Sequence, residues 1–138
     1  MRMRLSATLL LALAAACATG GRADPDDSPS IVGSYLLQRI DNRSLPTYSP
    51  TEPNVTVLAG RLMLGNAGAF SLSLLARNSP QVPPAEQTRR GSYVSEGDSI
   101  LTVTPADGGE AVVFRAARAG VRLILRDAQG HRYEFVIR

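Results

Sequence analysis

The fold of this chain is limited most by three short runs near its C-terminus: residues 111–116, 121–126 and 132–138. In the second run Leu123 and Leu125 alternate with Arg122 and Arg126, and the other two runs alternate in the same way. A period of two is typical of half-buried antiparallel strands, and connections that contain glycine join the runs. We expect the apolar alternates to face inward: Val112, Phe114, Val121, Leu123, Leu125, Tyr133, Phe135 and Ile137. We expect the charged alternates to face solvent: Arg115, Arg122, Arg126, Arg132, Glu134 and Arg138.

Five earlier runs extend this pattern upstream: residues 31–40, 55–64, 70–77, 88–95 and 98–104. In the first run Tyr35 and Leu37 share a face, and Ile40 joins them only if a β-bulge shifts the register. In the second run one alternate set is Leu58, Gly60, Leu62 and Leu64. Residues 78–87 contain three prolines and interrupt the pattern. They predict either a loop over the mouth of a cavity or a plain surface excursion.

The eight predicted strands follow one another through short connections, and the sequence has no helical period after residue 16. Eight antiparallel strands are enough to close a sheet into a barrel. Closure pairs the last strand with the first, whereas an open sheet would leave two apolar edges exposed. The sequence therefore predicts an all-β chain in which residues 31–138 form one eight-stranded antiparallel up-and-down barrel.

The N-terminus has the features of an export signal. Arg2 and Arg4 precede an apolar run at residues 5–16, which is too short to anchor the chain across a bilayer. Leu-Ala-Ala-Ala-Cys at residues 13–17 resembles the lipobox of bacterial lipoproteins. The resemblance implies that residues 1–16 are the signal peptide and that Cys17 carries acyl chains such as palmitate, which anchor the protein in a membrane. The alternative is an ordinary secretory signal whose cysteine lies near an Ala-x-Ala cleavage site.

Residues 17–30 are predicted to form a flexible tether, because they are rich in Gly, Ala, Asp, Pro and Ser without apolar periodicity. Cys17 is the single cysteine of the chain, so it cannot form an internal disulfide, and a free thiol is a liability in an exported protein. In many bacterial lipoproteins an Asp directly after the lipidated cysteine favours retention in the inner membrane, and Ala18 occupies that position here. The resemblance therefore implies a cell-envelope location, at the outer membrane and facing the periplasm.

The charge of the chain does not support nucleic-acid binding. The sequence has 15 basic residues, all of them Arg, and 12 acidic residues, for a formal charge of +3. Arg2 and Arg4 leave with the signal peptide, so the mature chain keeps thirteen Arg against the twelve acids. A net charge this small is not the signature of a nucleic-acid surface. The absence of Lys indicates codon usage in a GC-rich genome rather than a dedicated phosphate site.

The sequence also lacks the residue patterns of an enzyme. Its single histidine, His131, lies beside Gly130 in the last predicted turn, where no serine nucleophile accompanies it. Glu96 and Asp98 flank Gly97 in a predicted hairpin, which turn chemistry explains. The remaining acids are scattered, and the sequence has neither a phosphate-binding loop nor a dinucleotide motif. We therefore expect no enzymatic activity, no metal site and no cofactor.

A second resemblance extends over most of the predicted barrel and rests on glycines, turn residues and core aromatics. Its elements are Gly33-x-Tyr35-x-Leu37-x-x-Ile40-x-Asn42-x-x-Leu45-Pro46, Gly60-x-Leu62-x-Leu64, Gly68-x-Phe70, Arg90-Gly91-x-Tyr93, Gly97-Asp98 and Leu101-Thr102-x-Thr104-Pro105. This pattern is similar to the small lipocalin-like barrels of many bacterial lipoproteins. The resemblance implies a barrel that binds a small hydrophobic molecule, and it carries no transferable ligand motif.

Two functions are compatible with such a barrel. In the first, the interior admits a small apolar ligand at one mouth; its predicted lining is Tyr35, Leu62, Phe70, Leu72, Tyr93, Phe114, Leu123 and Phe135. In the second, the same side chains fill the interior and the outer surface contacts an envelope protein. An internal apolar cavity of at least about 300 Å³ would favour the first function.

Overall fold

A computed structural model describes residues 31–97 and 99–138 of the chain. The predicted signal peptide (1–16), Cys17 and the predicted tether (17–30) lie outside the described residues, as does Asp98. The described part is all-β, as predicted. Its strands are β1 (Gly33–Ile40), β2 (Arg43–Ser44), β3 (Thr47–Tyr48), β4 (Thr56–Leu64), β5 (Ala69–Arg77), β6 (Ala85–Glu96), β7 (Ile100–Pro105), β8 (Val112–Ala119), β9 (Arg122–Arg126) and β10 (Arg132–Ile137).

The eight longer strands close into the predicted antiparallel up-and-down barrel. Consecutive strands from β4 to β10 pair in chain order, β10 pairs with β1, and β1 also pairs with β4. Closure is direct at Tyr35, which has Ile137 as its partner on one side and Leu62 on the other. The two-residue strands β2 and β3 lie in the connection between β1 and β4 and pair with those two strands.

The two ends of the barrel differ in the connections that they carry. The connections after β4, β6 and β8 are short and lie at the same end as Ile31 and Arg138; we call this the turn end. Residues 41–55, 78–84, 106–111 and 127–131 connect strands at the opposite end, which we call the loop end. The loop end is therefore the one with room for a mouth.

Two bulges set which side chains enter the barrel. The register of β1 shifts between Leu37 and Arg39, and both Leu37 and Ile40 are buried, which confirms the bulge that the sequence requires. A second bulge in β4, between Val57 and Ala59, was not predicted. It places Val57 in the core, so Leu58 is only half-buried and the expectation that it continues the inward set is wrong.

The predicted strand limits need three corrections. β6 begins at Ala85, so the proline-containing connection ends at residue 84 rather than 87, and β8 continues to Ala119.

Val121 is exposed because it lies in the turn after β8, where Gly120 has a φ of 59°. Val112 is also exposed, because it starts β8 at the loop end, beyond the fully covered part of the interior. Neither valine belongs to the buried inward set that alternation predicts.

Glu134 is the clearest exception to the predicted outer surface. Its exposed fraction is 4%, although it belongs to the outward alternate set. Arg122 and Arg132 cover it from neighbouring positions, with nitrogen–oxygen distances of 3.3 Å and 3.1 Å. A buried carboxylate is tolerated where cations satisfy both of its oxygens. Arg122 and Arg132 therefore act as partners of a buried charge rather than as free surface arginines.

Candidate functional site

All eight residues predicted to line the interior belong to the barrel core. Four are buried: Tyr35, Leu62, Leu123 and Phe135. The other four are half-buried and pack against them: Phe70, Leu72, Tyr93 and Phe114. This division separates the interior into a filled part and a part that reaches solvent.

The fully buried side chains come mainly from β1, β4, β7, β9 and β10 at both ends of the barrel, and two tyrosines bond to the backbone at the turn end. Among the described residues, the largest side chains with under 2% exposure are Tyr35, Leu62, Leu64, Leu101 and Leu123. The Tyr35 hydroxyl donates a 2.6 Å hydrogen bond to the carbonyl of Ile31, which is itself buried. Tyr93 donates a 2.8 Å bond to the carbonyl of Gly65, in the turn after β4. Burial raises the pKa of the Tyr93 phenol, so it stays a donor at neutral pH. Side chains and the entering chain therefore close this end.

The half-buried side chains of the interior lie mainly on β5, β6 and β8. Leu72 and Leu74 of β5 and Phe114 of β8 are half-buried and pack against the core, and Val112 extends the inward set of β8 as an exposed side chain. Gly60 is the small inward position beside them: a Cβ there would lie 2.9–3.0 Å from Leu37 and Leu74 atoms. These side chains offer an apolar surface to a molecule entering at the loop end.

Two polar residues of β6 share the inner face at this end. Arg89 is the cross-strand partner of Leu72, and Gln87 is the partner of Leu74. Directly opposite residues of an antiparallel pair lie on the same face of the sheet. Both side chains are exposed, so they border the apolar surface without being enclosed by it. A guanidinium beside an apolar surface is suited to an amphiphile with an acidic group.

The sequence interpretation missed Gln87 because it began this strand at residue 88, and it missed Arg89 within the strand because a charge does not fit an apolar inward set. The inward alternation of Gly91 and Tyr93 was recognised, and continuing it by two steps toward the N-terminus reaches both residues. The proline pair at 83 and 84 obscured that continuation. A strand start directly after Pro84 would have been the available signal.

The loop end also carries a surface pocket of about 240 Å³ that none of the predicted interior residues lines. Its lining comes from the connection between β1 and β4: Ile40, Asp41, Arg43, Thr47, Tyr48, Ser49 and Pro50. This volume is below the range usual for small-molecule sites and belongs to the outer surface of the barrel. The pocket is not the internal cavity that would favour ligand binding.

A polar network fixes the loop end near this pocket. One carboxylate oxygen of Asp41 accepts a 2.7 Å bond from the backbone N–H of Arg132, and the other lies 3.0 Å from Nδ1 of His131. The Arg132 backbone bond, with a further contribution from His131, lowers the pKa of Asp41. Because the pKa of Asp41 is lowered, these contacts stabilise the fold at pH values above the ordinary Asp pKa. This stabilisation is lost as the pH falls through the lowered pKa.

Asp127 organises the same end from the turn before β10. Its carboxylate accepts backbone N–H bonds from Gln129 and His131, at 3.0 Å and 2.9 Å, and lies 3.3 Å from the Tyr133 hydroxyl. Burial and the Asp127 charge raise the pKa of Tyr133 well above its usual range. His131 is therefore a turn residue that joins β1 to the β9–β10 turn, in agreement with its predicted position. Within residues 31–97 and 99–138, no three His, Cys, Asp or Glu side chains converge on a possible metal position.

These features define the class of the protein: a small closed antiparallel β-barrel whose interior is fully buried mainly along β1, β4, β7 and β9 and partly exposed mainly along β5, β6 and β8. No protein-family model, curated protein or solved structure matches the chain. No helix long and apolar enough to cross a membrane forms in the part of the chain that the structure describes.

Proposed function

We propose that the protein is a membrane-anchored lipoprotein whose barrel binds a small amphiphile at the loop end. The observation that carries this proposal is the half-buried apolar surface of Leu72 and Leu74 beside the exposed inward-facing Arg89. The apolar part of the ligand packs on these side chains, and its acidic group meets the guanidinium. The turn end is filled, so the ligand enters only part of the barrel.

Binding is tested with a fluorescent fatty acid and the corresponding fatty alcohol, using the full chain with Cys17→Ser. Arg89→Ala should weaken binding of the acid about tenfold, because a charge-assisted hydrogen bond is lost, and should leave binding of the alcohol nearly unchanged. Leu72→Ser should weaken binding of both probes, because the apolar surface is common to them.

Arg90→Ala is the matched control for this measurement. Arg90 is the next residue of β6, is also exposed, and lies on the outer face as the partner of Ser71. Arg90→Ala should change neither the affinity for the fatty acid nor the affinity for the fatty alcohol. An equal loss of fatty-acid affinity in Arg89→Ala and Arg90→Ala would show a nonspecific charge effect. If neither the fatty acid nor the fatty alcohol binds, the proposed ligand class is refuted.

Membrane anchoring is a separate prediction that concerns Cys17. We expect mass spectrometry of membrane-extracted protein to find an acylated peptide that begins at Cys17. Cys17→Ser should move the protein to the soluble fraction, because the anchoring chains have no attachment point. A Cys17→Ser protein that stays with the membrane would contradict lipid anchoring and leave the alternative of an ordinary secretory signal.

A second function is favoured by the filled half of the barrel. Tyr35, Leu62 and Leu123 leave no solvent access at the turn end, as expected for a barrel whose core serves stability alone. In that function the lipoprotein acts through its outer surface, in contact with an envelope protein. Failure of both fatty probes together with retained membrane anchoring would select this second function.

A further inference from the structure

The first half of β6 forms an open sheet edge. Residues 85–90 pair with β5 on one side, from Ala76↔Ala85 to Ser71↔Arg90. On the other side the β7 pairing begins only at Gly91↔Pro105. All six residues from 85 to 90 are exposed, so the β5–β6 hairpin extends beyond the covered wall of the barrel. An open edge of this kind is a template for a further strand.

The hydrogen bonds of β6 show which backbone groups face this edge. The carbonyl of Arg90 accepts a 2.9 Å bond from the N–H of Ala106, on the β7 side. The N–H of Tyr93 donates a 2.8 Å bond to Gly68, on the β5 side. Backbone groups alternate along a strand, so the N–H and C=O groups of Glu86 and Thr88 face the open edge. Within residues 31–97 and 99–138 these groups make no backbone hydrogen bond on that side.

We propose that this edge pairs with the same edge of a second copy of the chain. A two-fold axis between Gln87 and its equivalent places Glu86 opposite Thr88 of the second copy, and Thr88 opposite its Glu86. Both are then hydrogen-bonded pairs, which satisfies the backbone N–H and C=O groups of Glu86 and Thr88 in each copy. The bond between Arg90 and Ala106 is retained, since the pairing does not use the Arg90 backbone. Pro83 and Pro84 end the edge at the other side, because proline cannot donate to a ladder.

Charge complementarity selects a second copy as the occupant. Glu86 and Arg90 lie on the outer face, as partners of Leu75 and Ser71, and neither has an ion-pair partner among the described residues. In the proposed register Glu86 lies diagonally across from Arg90 of the second copy, and the symmetry axis repeats the pair. These two attractive pairs outnumber the single diagonal contact between the two Glu86 side chains. Diagonal neighbours are within reach of long side chains. The edge is therefore complementary to itself in backbone groups and in charge.

Exchange of the charges at Glu86 and Arg90 tests this contact. Sedimentation of the full chain with Cys17→Ser measures dimerisation at protein concentrations from about 10 μM to 1 mM, a range suited to a small interface. The unmodified edge should give a monomer–dimer equilibrium. Glu86→Arg or Arg90→Glu alone should raise the dissociation constant at least about tenfold, because each change creates two like-charge contacts. The double variant should restore dimerisation. A monomer throughout this range, or a double variant no better than the single ones, would overturn the proposal.

Disulfide trapping tests the register independently. Gln87 and its equivalent form a non-hydrogen-bonded pair, whose Cα separation of about 4.5 Å suits a disulfide. In the Cys17→Ser chain, Gln87→Cys should give a covalent dimer under mild oxidation. Ser92→Cys, on the same strand but paired with Thr104 of β7, should not. Equal yields at the two positions would overturn the register. Dimerisation does not depend on the proposed ligand, since Arg89→Ala should leave it intact and Arg90→Glu should leave fatty-acid binding intact.

Discussion

Leu101→Asp should leave no folded protein, whereas Arg115→Asp should fold as stably as the unmodified chain. Leu101 has 0% exposure and lies between Ser95 of β6 and Phe114 of β8 in the barrel register. A carboxylate at that position has no cation opposite it on the inner face. Burial of an unpaired polar or charged group costs several kcal/mol, which is a large part of the roughly 5–15 kcal/mol that stabilises a domain. Far-UV circular dichroism and urea unfolding measure the effect.

Arg115 is the matched control because it lies on the opposite face of the adjacent strand. It is exposed, and its β9 partner is Arg126, so an aspartate there replaces a like-charge neighbour with an attractive one. Arg122 is a poorer control than alternation alone suggests, since it pairs with the buried Glu134. Equal tolerance of Leu101→Asp and Arg115→Asp would mean that the faces of β7 and β8 are assigned incorrectly.

Alternation predicted the faces of the barrel best where a strand lies wholly within the wall. In β9 the buried Leu123 and Leu125 alternate with the less buried Arg122, Ile124 and Arg126, and no turn or bulge disturbs the period. The prediction failed at Val112 and Val121, because the burial of a side chain at a strand end depends on which neighbouring elements cover it and not on the alternation along the strand. It failed at Leu58 because a bulge in β4 moves the inward position to Val57, and the sequence has no proline or glycine there to mark it.

The candidate site was predicted in its apolar part and missed in its polar part. Phe114 and Leu72 were assigned to the interior from their period, but their partial exposure depends on how far neighbouring strands cover them, which the sequence of one strand does not show. Arg89 was missed because a charged inward residue contradicts the hydrophobic pattern used to find strands. The same reasoning placed Glu134 outside and in solvent, since its ion pair with Arg122 of the neighbouring strand β9 is not visible in the sequence of β10 alone.

Gly91→Ala should destabilise the barrel by about 3 kcal/mol or more, a large effect for the replacement of one hydrogen by a methyl group. A Cβ at Gly91 would lie 2.1 Å from the carbonyl oxygen of Thr104 and 3.0 Å from the Cα of Pro105. These are backbone atoms of the paired strand β7, so a change of side-chain rotamer cannot relieve the contact. The close approach occurs where β7 ends and the open edge of β6 begins. Glycine in a strand often marks such an approach of two backbones.

Ser92→Ala is the control for Gly91→Ala because it changes the neighbouring residue of the same strand. Ser92 is exposed and already carries a Cβ, so its replacement removes only a hydroxyl from the surface and should alter stability by less than about 0.5 kcal/mol. Urea unfolding of the two variants separates close backbone contact from a general sensitivity of β6. If Gly91→Ala and Ser92→Ala unfold at the same urea concentration as the unmodified chain, β7 can move away from β6 at little cost. The end of the barrel wall at Pro105 would then be looser than the pairing with Gly91 implies.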